Sequence, residues 1–181
     1  MKRVYLPILL SITFLTSCAS INNPFAKRET IEIKEGYLSL KNINTNLAKQ
    51  MPLIQKVGKN KIKIVSATTF AGKDGKSLIT EIEFIFTSFE IPEGLPSIAR
   101  VKSSLTYDLK TKEFKLDNIS EPQVKFLKES LVEYINPKQK KFISDTIVLK
   151  LYDLILHKSK KELRAMKGFI VKEGKIKIIF K

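Results

Sequence analysis

The clearest pattern in the chain is an alternation over residues 99–109. Ala99, Val101, Ser103, Leu105, Tyr107 and Leu109 fall on one side, and Arg100, Lys102, Ser104, Thr106 and Asp108 on the other. A period of two puts one face of a strand in a core and the other in water, as antiparallel sheets do. The same period runs through 78–89, with Leu78, Thr80, Ile82, Phe84 and Phe86 inward. It recurs more briefly over 61–69, where Ile62, Ile64 and Val65 are apolar, and over 113–119, where Phe114 and Leu116 face in. Turn residues separate these runs: Gly58, Gly72-Lys73-Asp74-Gly75, the Pro- and Gly-bearing stretch 92–96, and Lys110-Thr111-Lys112. Together they predict a three- to four-stranded meander.

Around the meander the period changes to helical. Ile43, Leu47 and Met51 recur at every fourth position behind Ser39, a good helix cap, and Pro52 limits the segment to about 40–50. Leu127, Leu131 and Ile135 predict a helix over 123–136. Asn136-Pro137 reads as a cap followed by proline at the first helical position, which opens a second helix reaching about residue 152. Its stripe of Ile143, Ile147, Leu151 and Leu154 is widened by Phe142, Val148, Leu149 and Ile155, so it needs cover on more than one side. Ser159 caps a short helix to 166, Gly168 ends it, and 169–171 and 175–180 form a hairpin around Glu173-Gly174. Strands followed by helix with an antiparallel sheet make this an α+β fold.

The N-terminus carries an address. Lys2 and Arg3 precede an apolar stretch, 4–15, that is shorter than the roughly 20 residues of a membrane span and has the size of a secretory h-region. It runs into Leu15-Thr16-Ser17-Cys18, which looks like a bacterial lipobox, and Cys18 is the one cysteine in the chain. Small residues let a peptidase reach the backbone, and the Cys18 thiol is the nucleophile that takes a diacylglycerol group. Two or three acyl chains hold far better than one, since each buried CH₂ contributes about 0.8 kcal/mol. Residues 1–17 are then a signal peptide, 18–30 an acylated tether, and 31–181 a single domain. Ala19 and Ser20 follow the cysteine, with no Asp to retain the protein at the inner membrane. The expected location is therefore the cell envelope, on the outer membrane and facing the periplasm.

Charge and chemistry change this picture only slightly. Lys plus Arg number 33 against 18 Asp plus Glu, a formal charge of +15 in a chain of 181 residues, with the lysines dispersed. Such a balance reads first as a solvated, lysine-rich surface; among anionic partners the export signal turns the expectation from nucleic acid towards an anionic membrane surface. One cysteine and one histidine, His157, exclude Cys-rich and His-pair metal sites. No Gly-x-Ser-x-Gly elbow surrounds a serine, so Ser144, Asp145 and His157 do not read as a triad. Glu81 and Glu83 share a strand face but sit among lysines. Residues 72–77 end in Gly-Lys-Ser yet join strand to strand, which a phosphate loop does not. No catalytic residue, metal or cofactor is expected. The large apolar side chains Phe84, Phe86, Phe89, Leu105, Tyr107 and Phe114 lie opposite the long helix. Either they fill a solid core or they line a groove for something oily.

Three segments resemble the YceB-like family of small bacterial lipoproteins. In residues 165–180 the order Gly168, Val171, Gly174, Ile176 and Ile178 is similar to the family's closing pattern, with Glu173 where a proline is common. Ile43-Asn44 and Leu47-Ala48 resemble its opening helix, and residues 114–119 the strand before its long helix. The resemblance implies a curved antiparallel sheet wrapped around a long C-terminal helix, similar to the tubular lipid-binding superfamily. It also implies a lipid or other hydrophobic ligand in an apolar groove, which the inward positions of strands and helix would line with Phe84, Phe86, Leu105, Tyr107, Ile147 and Leu151. The alternative is a non-enzymatic envelope scaffold with a solid core and a basic surface.

Overall fold

The computed structural model describes residues 35–160, 163, 165–172 and 174–180. The expected signal peptide, Cys18 and the expected tether lie outside them. A compact unit spans Ile33–Lys181. It is mostly antiparallel sheet with few helices.

β1 (Glu35–Ser39) leads into helix α1 (Leu40–Lys49), with Ser39 at the cap in extended backbone. β2 (Leu53–Val57) and β3 (Asn60–Ala71) form a hairpin, and β4 (Leu78–Thr87) returns beside β3. β5 (Leu95–Asp108) is the longest strand, and β6 (Glu113–Asp117) folds back on its second half. The alternation is realised over most of its length: Ala99, Val101, Ser103, Leu105 and Tyr107 are buried, as are Leu78, Thr80, Ile82, Phe84 and Phe86, but Leu109 lies past the end of β5 and is exposed. Phe89 corrects the expectation. It falls past the end of β4, is 72% exposed and carries the Lys59 ammonium 4.5 Å from its ring centre.

The largest correction is at 123–136. Its first part is a strand, β7 (Gln123–Phe126), and a 3₁₀ turn covers Glu129–Tyr134. The reason is a vacant edge. β6 pairs with β5 only over Ser104–Asp108, so the backbone of Ser97–Arg100 needs another partner, and β7 supplies it. Between β6 and β7 the chain keeps to the same lane: Ser120 donates to the Lys102 carbonyl at 2.8 Å, and Asn118 turns it at a φ of 47°. Buried backbone groups demand partners, and that demand overrides a fourfold spacing of apolar residues.

Helix α2 (Pro137–Asp153) begins where the sequence places it. Asn136 Oδ1 accepts from Gln139 N, and Gln139 Oε1 accepts from Asn136 N, both at 2.9 Å, a reciprocal capping box. Its buried face is Ile143, Thr146, Ile147 and Leu151, while Leu149 and Tyr152 are exposed. The helix is therefore covered on one side, and it is a single 17-residue segment, not the long C-terminal helix expected from 123 onward. β8 (Ile155–Lys158) pairs with β6. The described residues of the expected helix 159–166 are not helical, and residues 161, 162 and 164 lie outside the description. β9 (Met166–Lys172) and β10 (Lys175–Phe180) form the predicted hairpin, and β1 joins β10 to make a three-stranded sheet.

The seven-stranded sheet runs β2-β3-β4-β5-β6-β8, with β7 beside β5. It is strongly curled into a half-barrel. A bulge at Val65 contributes, since inward residues switch there from Ile62 and Ile64 to Ala67 and Thr69. The degree of curl follows from α1, which packs on both β3 and β8. Those strands are four lanes apart, about 19 Å on a flat sheet. Asn44 of α1 nevertheless bonds Thr69 of β3 and Asn46 bonds Leu156 of β8, two positions separated by about 3 Å of helix rise. The open flanks of the sheet have come round to meet one helix.

Amide side chains make that seam. Asn44 Nδ2 donates to the Thr69 carbonyl at 3.0 Å, and Thr69 N donates to Asn44 Oδ1 at 2.8 Å. Gln50 Nε2 donates to the Ile155 carbonyl at 2.8 Å, and Ile155 N donates to Gln50 Oε1 at 3.1 Å. Each amide pairs with a strand as a peptide unit would, and so satisfies edges that otherwise invite another chain.

Gly94 shapes the β4–β5 loop. Its φ is +87°, and a Cβ there would stand 2.6 Å from Ile85 Cγ2. Gly94→Ala is expected to cost more than about 1 kcal/mol of unfolding free energy, measured by urea titration, because alanine meets both strain and a clash.

Candidate functional site

All six residues expected to line a groove lie in one buried apolar cluster: Phe84, Phe86, Leu105, Tyr107, Ile147 and Leu151 are between 0% and 8% exposed. The structure brings them together on the concave side of the sheet, under α1 and α2. Two hydroxyls in this region stand out. Ser103 Oγ and Tyr107 Oη are buried, and neither has a hydrogen-bond partner. An unpartnered buried hydroxyl is uncommon, because burying it without a bond costs about 1–3 kcal/mol.

Tyr107 leads outward to a cleft. It pairs across strands with Phe114, which pairs with His157, so the three rings form one row over β5, β6 and β8. Ring centres are 4.6 Å apart for Tyr107–Phe114 and 6.1 Å for Phe114–His157. Offset, tilted rings at these separations attract beyond their buried area. The outer end of the row opens into a cleft of about 220 Å³ between this sheet and the three-stranded one. Leu38, Ile178, Phe180 and Leu163 make its apolar wall, and His157 and Ser159 its polar side. Burial lowers the His157 pKa, so its ring is held towards the neutral form at neutral pH. The cleft is below the roughly 300–1,000 Å³ of a drug-sized site, so it suits one end of a chain rather than a whole lipid.

The sequence reading names Tyr107 but misses Leu38, Ile178 and Phe180. The alternation of Ile176, Ile178 and Phe180 marks an inward face, yet nothing along the chain says that β1 and β10 will stand opposite β6 and β8. The other chemistry-bearing residues are held by neighbours. Glu81 accepts from Arg100 Nε at 2.6 Å and Glu83 from Ser66 Oγ at 2.9 Å. Asp145 pairs with Lys141 at 3.6 Å on the exposed side of α2, while His157 lies in the aromatic row. Among the described residues, no group of three or more His, Cys, Asp and Glu is placed to hold a metal ion.

Beside Phe114, on the other face of β6, Glu113 is only 7% exposed and sits between Lys115 at 3.1 Å and Lys158 at 3.3 Å. The hydrogen bond from Lys115 does most to hold its carboxyl below the usual Glu value, with further help from Thr111 and Lys158, against the opposing effect of burial. A carboxyl depressed in the folded state contributes stability that is fully present above its unfolded pKa. That contribution is lost as pH falls through the folded value. Glu113→Gln is therefore expected to flatten part of the acid limb of a stability-versus-pH curve below about pH 4.5. Thermal melts from pH 7 to pH 3 check it.

No protein-family model matches the chain, and no curated protein matches it either. Among solved structures it is similar to a crystal structure of lipopolysaccharide binding protein, at 12% identity with a TM-score of 0.31. The match covers 81% of this chain and 40% of that one. Among the described residues no helix is long and apolar enough to cross a membrane.

Proposed function

We propose that the protein is a non-enzymatic bacterial envelope lipoprotein of YceB-like type. In this reading it is acylated on Cys18, faces the periplasm from the outer membrane, and holds the apolar end of a lipid or similar ligand. The observation that carries the ligand is the cleft. Leu38, Phe114, Ile178 and Phe180 form a greasy wall between two sheets, with His157 and Ser159 on one side. The unpartnered Tyr107 hydroxyl lies one ring behind it. A wall of that kind favours an alkyl chain, and the polar flank favours a head group that stays near water. Cys18 contributes the address, because a lipobox cysteine at the end of an h-region is the chemical signature of acyl anchoring.

Native mass spectrometry of protein purified without detergent tests the reading. The expected result is a co-purifying lipid mass on the wild type and its loss from Leu163→Trp, which fills the cleft. Wild-type protein repeatedly free of any such mass overturns ligand binding. The second reading, an envelope scaffold with a solid core and a basic surface, would then take its place. The burial of Phe84, Phe86, Leu105, Tyr107, Ile147 and Leu151 in one cluster favours that second reading.

A further inference from the structure

The end of the half-barrel opposite the β3–β4 loop has an unusual surface. The β2–β3 turn and the β4–β5 loop lie side by side there, since Lys61 pairs with Thr87. Phe89 is 72% exposed at the tip, and Pro92 lines the same shallow surface. The Lys59 ammonium lies over the Phe89 ring. Helix α2 starts at the same end, because Gln139 Nε2 reaches Asn60 Oδ1 at 3.4 Å and Glu90 Oε2 at 3.2 Å. That start brings exposed Lys138 and Lys140 beside exposed Lys56, Lys59 and Lys61, against Glu90 and Glu93. The tip is therefore an exposed aromatic within a ring that is net positive.

We propose that this tip, Phe89 and Pro92 within their ring of lysines, docks on an anionic bilayer surface and sets which end of the domain faces the membrane. Apolar side chains enter the head-group layer while lysines meet anionic lipid, a combination that binds interfaces without spanning them. The covalent anchor leaves this orientation open. Residues 19–34 separate Cys18 from the first described strand and can reach at most about 55 Å by covalent geometry, beyond the ~40 Å breadth of a domain this size. The proposal depends on the anchor reading only to bring a bilayer close, and it is independent of the cleft.

The chain contains no tryptophan, so a single introduced indole reports its own surroundings. Phe89→Trp and, as control, Tyr152→Trp at the far end of α2 are made in the acylated full chain. Each is reconstituted in vesicles of phosphatidylethanolamine with phosphatidylglycerol, and in vesicles of phosphatidylcholine alone. Acyl chains hold the protein to both, so the emission reports pose and not attachment, and intact mass reports acylation separately. The expected result is a blue shift at position 89 in the anionic vesicles only, reversed by salt and lost with Lys59→Ala combined with Lys138→Ala. Position 152 stays unshifted. Emission at 89 that remains water-like in a folded, acylated protein overturns the proposal. So does an equal shift at 152, an equal shift in phosphatidylcholine, or a shift that appears only when an acidic protein is added. A chain that carries no acyl mass but still shifts at 89 when mixed with anionic vesicles sustains the tip and removes the anchor.

Discussion

Phe84→Ala lowers the unfolding free energy by about 3–5 kcal/mol in a urea titration, the expected cost of emptying a filled aromatic site. Phe84 is 1% exposed and stands on the inward face of β4 between Ile82 and Phe86, both also buried. Its cross-strand neighbours are Ile64 on β3 and Ser97 on β5, each buried too. No flank of the ring has slack to collapse into without moving a paired strand, which places the cost in the upper part of the range for large-to-small changes. The measurement also decides what the concave side of the sheet is. A loss under about 1 kcal/mol would mean that the ring borders open space, because a side chain lining a void gives up few contacts when truncated. A loss of the full size means that the interior is solid and leaves the cleft at Phe114 and His157 as the place for a ligand.

The second large effect is expected at the seam. Asn44→Ala combined with Gln50→Ala removes four hydrogen bonds that join α1 to Thr69 and Ile155. At about 0.5–1.5 kcal/mol for each bond, the double variant loses roughly 2–6 kcal/mol. It also uncovers strand edges that would recruit another chain, so soluble oligomers or aggregates accompany the loss. Denaturation and size-exclusion chromatography of the two single variants and the double check both parts. The two amides act on different strands but through one helix. The double is expected to cost more than the sum of the singles if α1 detaches as a unit, a departure that a double-mutant cycle measures.

What could be read from the chain divides along physical lines. Strand faces were legible wherever alternation was strict, because burial on one side leaves a direct imprint: every inward residue of 78–86 and of 99–107 is buried. The start of α2 was legible because Asn136 and Pro137 act locally, through a capping side chain and a fixed φ. The stretch 123–136 misled because its fate depends on how far β6 runs along β5, a fact about residues elsewhere in the chain. The roles of Asn44, Asn46 and Gln50 were hidden for the same reason. Three amides on a short helix look like a solvated face until a curled sheet brings two edges to them. Phe89 is exposed because it lies past the end of β4 and on the odd-numbered side of an alternation that buries Phe84, Phe86 and Ser88. Phe84, Phe86, Leu105, Ile147 and Leu151 are buried together in one cluster, whereas much of the cleft is lined by residues of β1 and β10, far from them along the chain. Cys18 and the tether lie outside the described residues, and the lipobox remains their evidence.

The pairing of β1 with β10 ties residues 35–39 to 175–180, nearly the full length of the domain. Such a contact closes the longest loop among the described strand pairs, so it carries a closure entropy that the local hairpins avoid. A chain stopped six residues short would lack Ile176, Ile178 and Phe180 together. It would leave β1 and β9 each facing an empty lane, and remove one wall of the cleft. The cleft thus depends on β10: a product without it keeps the aromatic row of Tyr107, Phe114 and His157 but has little to set against it.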